Sequence, residues 1–322
     1  MAGIWINNLC YNGKLYTYRT MKLKLIESRE KQRTVKKKFN FRGFSFFSGE
    51  NVSMICEPSK ENTGIVFYCK GVRIPAIAEN IKLVDVHTTA LTKRGVDILA
   101  IEHLMAAIWG LGIDNLIIRL SSNVVPAQSG SAEEFTKALL KAEIVEQEET
   151  RQVVVFDEST TITQPEFKSR FAKFEPFDKF DIKCFVPFLS PIGEHTVFFN
   201  GSAKSFVRDV CWARTFLRSP IDINDLTKWN GIRSVFKVLP EDPKKSPIVT
   251  FTERGFLTPL KKEDEPAKHK LLDLIGDLAL VGYRLRVKLT VNEPGHKFTH
   301  LVAKKIRSSV VAKKNDSQKK IS

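Results

Sequence analysis

The chain has 322 residues, 43% of them hydrophobic and 27% charged, with 51 Lys and Arg against 36 Asp and Glu for a net charge of +15. That length and balance suit one large or two modest globular domains, and they exclude global disorder, collagen and coiled coil. No run of roughly 18 residues is free of charge, which excludes a membrane-spanning helix. Five scattered cysteines without a CxxC pair argue against a disulfide framework or a cysteine-built zinc site.

Residues 1–20 have no clear class, and Met21 could itself be a start, so 1–27 is set apart as an N-terminal appendage. From about Gln32 to Leu83, short β-branched and aromatic runs such as Ile65-Val66-Phe67-Tyr68-Cys69 predict strands. Helical spacing of Ile98, Ile101, Leu104, Met105 and Ile108 predicts a helix to Gly110. A strand over Leu116 to Leu120 and a helix over Ser131 to Glu143 complete one α/β unit. The charged stretch 144–151 reads as a loop and sets the boundary between domain I (28–146) and domain II (147–310). Strand-like runs follow at Val153 to Phe156, Phe171 to Phe174 and Phe180 to Phe185. Then come a helix over Ala267 to Val281, a strand over Leu285 to Val291 and a helix from Phe298 to about Val311. The two halves share one layout. The basic tail, 311–322, is expected to be disordered.

Residues 22–38 and 303–322 each carry +6, so the middle of the chain is nearly balanced. A nucleic-acid enzyme more often spreads its charge across a folded face, so no nucleic-acid partner is expected. Basic flanks read first as solvated tails and next as a peripheral contact with the inner membrane surface. The cysteine usage and the absence of a secretory leader pattern place the chain in the cytoplasm, and a monomer is expected.

Only six histidines exist. His103 follows Glu102 in a segment that otherwise looks buried. The pair is either a satisfied core pair or a metal ligand beside a general base. His269 and Asp273 are four apart on a helix and share a face. Such a pair can hold a metal ion, although it is a weak signal alone. Adding His103 gives three protein ligands and an open fourth position, the catalytic form of a zinc site. His296, after Gly295, is either a surface-loop histidine or a proton donor whose ring Asp277 holds. Thr215 could offer a hydroxyl to a developing oxyanion. His87, His195 and His300 lack carboxylate partners at useful spacing and read as structural or surface residues.

Several motifs then agree in order. They are Glu102-His103-Leu104-Met105-Ala106-Ala107, Gly110-Leu111-Gly112-Ile113-Asp114-Asn115, Val125-Pro126, Gly130-Ser131-Ala132, Ala213-Arg214-Thr215-Phe216, the helix from His269 to Asp277, and Gly295-His296. From about Gln32 to Ile306 the chain resembles the UDP-3-O-acyl-N-acetylglucosamine deacetylases of lipid A biosynthesis. The resemblance implies an α/β (α+β) fold of two similar domains, each a sheet packed on helices with a small insert, facing each other across a zinc site. It implies one Zn2+ on His103, His269 and Asp273, Glu102 as general base, and His296 as general acid with Asp277 as its partner. It further implies Thr215 as oxyanion donor, Lys270 and Phe216 as substrate contacts, and an acyl-chain passage in an insert at about 217–250. The substrate is then UDP-3-O-acyl-N-acetylglucosamine and the product acetate.

The chain departs from the family pattern in places. Ser45-Phe46-Phe47-Ser48-Gly49 stands for Gly-Leu-His-Thr-Gly, and Ser129 opens the usual Asp-Gly-Ser-Ala. Pro294 opens the Ser-Gly-His turn, and Thr299 and His300 replace two asparagines. Glu265-Pro266-Ala267-Lys268 stands for Glu-Phe-Val-Arg, and Gly231 to Thr250 lacks a Gly-Gly-Ser stretch. These bear on substrate affinity and acyl preference more than on the chemistry. The alternative is a divergent homologue that binds a sugar nucleotide or lipid with altered or weak catalysis. A nucleic-acid-binding protein rests on the net charge alone.

Overall fold

The computed structural model describes residues 6–11, 14–19, 21–84, 88–164, 166–218 and 240–319. The first half builds a five-stranded sheet in the order Phe39–Phe44, Asn51–Pro58, Leu116–Leu120, Ile65–Cys69, Val72–Pro75. Its neighbours are antiparallel except Leu116–Leu120 against Ile65–Cys69, which run parallel. A three-stranded sheet of Ile81–Lys82, Ala90–Lys93 and Val96–Ile98 stands beside it. Two helices follow, α1 over Glu102–Gly110 and α2 over Glu133–Lys141.

The second half is a seven-stranded sheet centred on Arg284–Asn292. This strand pairs parallel with Val153–Val155, antiparallel with Phe171–Pro176 and parallel with Phe180–Phe185. Leu285, Val287, Leu289 and Val291 are buried and the residues between them are not, the two-residue alternation of a sheet with one covered face. The covering helices are α3 over Glu265–Ala279 and α4 over His296–Lys319. Almost every residue of α3 is buried, so it is a core helix rather than an amphipathic surface one. Pro266 starts it without cost, since a first-turn N–H has no helical partner to lose.

The two halves meet where α1 crosses α3. A Cβ on Gly276 would sit 2.1 Å from the Glu102 carbonyl oxygen, so only glycine permits this approach. The contact sets the start of α1 against the middle of α3.

Some sequence expectations need correction. Stretch 144–151 is not a loop. It belongs to the strand Ile144–Phe156, which pairs antiparallel with Leu23–Val35. Its charges misled because the strand is half exposed and meets cations across the ladder, as in Arg33–Glu146 at 2.8 Å. Residues 28–35 therefore join the same sheet as domain II. The basic flank 22–38 is likewise no solvated tail, because Lys22, Lys24, Lys36, Lys37 and Lys38 all pair with acids. Ile98 lies in a strand paired with Leu91, and α1 begins only at Glu102. At the C-terminus α4 continues through Lys319 where disorder was expected. Within residues 1–20, Ile6–Tyr11 and Lys14–Arg19 form a hairpin. Most of the expected insert, 219–239, lies outside the described residues, but its flanks pair as parallel strands, Phe216–Arg218 with Val249–Phe251. Among the described residues no helix is long and apolar enough to cross a membrane.

Candidate metal centre and proton-transfer site

The first turn of α1 supplies Glu102 and His103, and one face of α3 supplies His269, Asp273 and Asp277 at four-residue intervals. Where the helices cross, His103, His269 and Asp273 bring their donor atoms within 4.8 Å of one another. His103 Nε2 and His269 Nε2 each lie 3.4 Å from Asp273 Oδ1. That oxygen is buried and accepts no hydrogen bond. A buried carboxylate oxygen without a donor is costly unless a cation satisfies it. A separation of 3.4 Å also matches the edge of a tetrahedron with bonds of about 2.0–2.1 Å. The residues present therefore fit a metal ion.

The protonation states agree with that fit. Burial drives the His269 imidazole down to about 3, so the ring is neutral and its nitrogen free to ligate. Its Nδ1 lies 3.1 Å from the Ala213 carbonyl, which takes the ring proton and leaves Nε2 facing Asp273. Burial works against the Asp273 carboxylate, but the neighbouring histidines and Lys270 hold it well below its usual range. Lys270 Nζ donates to Asp273 Oδ2 at 2.6 Å.

Two further groups flank this cluster. Buried Glu102 accepts from the Thr88 hydroxyl at 2.7 Å on one oxygen and from the Thr89 N–H at 3.0 Å on the other. His296, in the first turn of α4, places Nδ1 2.9 Å from Asp277 Oδ2 and Nε2 3.7 Å from Asp273 Oδ2. Burial disfavours the charged imidazole, yet Asp277 and Asp273 outweigh it and lift His296 to about 9. In turn, His296 and His300 overcome the burial of Asp277 and hold its carboxyl below the ordinary range.

The segment from Ala213 to Phe216 edges the site. Arg214 forms a buried ion pair with Glu265 at the start of α3, at 2.8 Å, which ties the segment to the helix that carries His269. Thr215 is fixed through its backbone: its N–H donates to the Gly130 carbonyl at 2.6 Å and its carbonyl accepts from the Val249 N–H at 2.8 Å. A Cβ on Gly130 would fall 2.6 Å from the Thr215 methyl, so the glycine makes room for it. Phe216 stands edge-on to the His269 ring at 5.9 Å, with Lys270 Nζ 5.5 Å from its centroid. Phe188 and Phe251 extend an aromatic wall from Phe216.

His300 is not a surface residue, and it has the carboxylate partner that sequence spacing did not show. It is buried, with Nε2 3.4 Å from Asp277 Oδ1. The partner escaped notice because it lies on another helix, beyond any local spacing. His195 bonds the Ile192 carbonyl, and His87 lies outside the described residues. Thr88 and Thr89 also escaped sequence reasoning, since hydroxyls before a strand carry no motif, and Thr299, noted only as a departure from the family pattern, donates to Asp277.

Residues 32–308 match the family model described as LpxC, UDP-3-O-acyl N-acetylglycosamine deacetylase. The chain is 35% identical over 291 residues to a UDP-3-O-acyl-N-acetylglucosamine deacetylase of Hahella chejuensis, covering 86% of this chain and 91% of the relative. It is 34% identical over 289 residues to the enzyme of that name from Marinobacter nauticus, covering 86% and 90%. Against that of Nautilia profundicola it is 32% identical over 280 residues, covering 86% and 91%.

Proposed function

The chain belongs to the UDP-3-O-acyl-N-acetylglucosamine deacetylase family, and from that premise we propose that it hydrolyses the N-acetyl group of UDP-3-O-acyl-N-acetylglucosamine in lipid A biosynthesis. Water cleaves the amide, giving acetate and the free 2-amino sugar nucleotide. The observation that carries this reading is one cluster holding a two-histidine, one-carboxylate donor set, a buried glutamate and a buried Asp–His pair.

His103, His269 and Asp273 hold the metal, and two nitrogens with one carboxylate oxygen suit zinc. Bound there, zinc supplies Lewis acidity and makes water a nucleophile at neutral pH. Glu102 takes the proton of the attacking water, its carboxylate aimed by Thr88 and Thr89. Thr215 donates its hydroxyl to the carbonyl oxygen as negative charge develops there. His296, charged at neutral pH with Asp277 on its Nδ1, donates from Nε2 to the departing nitrogen. Phe216 gives an apolar face to the sugar and acyl chain, and Lys270 beside it contacts the substrate. The acyl chain follows the aromatic wall past Phe216 towards Phe188 and Phe251.

The reading extends to a cytoplasmic monomer. The buried free thiols of Cys56, Cys69, Cys184 and Cys211 favour a reducing compartment. Peripheral contact with an anionic membrane rests on the C-terminal basic stretch, because the lysines of 22–38 are largely paired with acids.

The test is acetate release from UDP-3-O-acyl-N-acetylglucosamine by the wild type and by Glu102→Gln. Turnover is expected in the wild type, with kcat lower by about a hundredfold or more in the variant. Equal turnover in both would remove Glu102 from the chemistry, and no acetate from the metal-loaded wild type would refute the function.

A further inference from the structure

Thr89 touches both proton-transfer groups, and the mechanism above does not use its hydroxyl. Its backbone N–H donates to Glu102 Oε2 at 3.0 Å. Its hydroxyl oxygen lies 2.6 Å from Asp277 Oδ1, 3.1 Å from His296 Nδ1 and 3.0 Å from His300 Nε2. All of these groups are buried or nearly so.

A hydroxyl has one proton to give and two lone pairs. The nearest of its three partners, Asp277 Oδ1, is a carboxylate oxygen that can only accept, so the proton goes there. Turned any other way, the hydroxyl would set a lone pair against an anionic oxygen at 2.6 Å. Both ring nitrogens then face the hydroxyl lone pairs, and both must carry hydrogen. His296 Nδ1–H is shared between Thr89 and Asp277 Oδ2, while His300 Nε2–H is shared between Thr89 and Asp277 Oδ1. The Thr299 hydroxyl donates to Asp277 Oδ2 as well. With four donors, Asp277 has filled about all the lone-pair sites a carboxylate offers. Only one pairing satisfies every member, and it leaves Nε2 of His296 as the atom that exchanges a proton with the substrate.

We propose that Thr89 is a positioning residue that couples the general base to the general acid, with His300 as its second brace. Thr89 fixes the spacing between Glu102 and the Asp277–His296 pair, and with His300 it fixes which nitrogen of His296 faces the leaving group. Neither residue touches the scissile bond. This proposal rests on the deacetylase reading of the site.

The experiment combines two variants of Thr89 with a spectroscopic reading of the wild type. Thr89→Val keeps the shape and removes the hydroxyl. It is expected to lower kcat about tenfold or more, with KM and metal content unchanged. Thr89→Ser restores the hydroxyl and is expected to stay within about threefold of the wild type. Nitrogen-15 spectra of histidine-labelled, zinc-loaded wild type should show hydrogen on Nδ1 of His296 and on Nε2 of His300. Wild-type kcat in Thr89→Val, a loss in Thr89→Ser as large as in Thr89→Val, or His300 protonated only on Nδ1 would each overturn the proposal. Should Thr89→Val not fold, the wild-type spectra and the serine variant decide. Should the wild type release no acetate, the functional reading fails, and the spectra still judge the positioning.

Discussion

Four side chains surround the Asp277 carboxylate, and its negative charge is what keeps the proton on His296. In the proposed mechanism His296 is the general acid, which works only while protonated, so the alkaline limb of the pH–rate profile is expected to report it. Asp277→Asn removes the charge and keeps the shape. The pKa of His296 must then fall, and the alkaline limb of kcat/KM moves to lower pH by about one unit or more. An unmoved limb would assign that limb to another group. At this scale the four-residue spacing of His269, Asp273 and Asp277 on one helix face was legible in the sequence, whereas Glu102, His103 and His296 stood as open alternatives until the family resemblance gave them roles. The sequence hid His300 and Thr89, whose link to Asp277 depends on tertiary folding. Thr89 and Asp277 are 188 residues apart in the chain.

Two contacts between elements hold the site together. The first is Gly276 against the Glu102 carbonyl, which sets α1 on α3. A methyl in that space must displace α1, and with it Glu102 and His103. For Gly276→Ala we expect kcat/KM to fall about a hundredfold, the scale of loss from a 1 Å misplacement of reacting groups. Metal content should fall too, and normal values of both would show that the crossing tolerates a shift. The second contact is the buried Arg214–Glu265 pair. Glu265→Gln leaves the guanidinium without its counter-charge at a cost of about 3–5 kcal/mol. Denaturant unfolding measures this, and a loss under about 1 kcal/mol would make the pair a minor anchor. The helices were legible from apolar periodicity, but their ends were not. Ile98 continues the helical pattern of α1 in sequence, yet it is held in a strand by Leu91.

Across the whole molecule, charge proved a poorer guide than pattern. The net +15 suggested loose basic flanks, but residues 22–38 form a strand and its edge, with acids opposite the lysines. The same cross-strand pairing disguised 144–151 as a linker, since a half-exposed strand edged with ion pairs has the composition of a loop. The two-half layout was legible because each half repeats strand and helix patterns. The threading of Leu23–Val35 into the second sheet was not, since strand partnership over more than a hundred residues leaves no local trace. What the architecture achieves is the meeting of one helix from each half at a single donor set. The most direct test is elemental analysis together with acetate release, on the wild type and Asp273→Ala. The account predicts one metal ion per wild-type chain with turnover, and both lost in the variant. Metal retained in full by Asp273→Ala, or none in the wild type, would contradict the claim that His103, His269 and Asp273 form the metal centre.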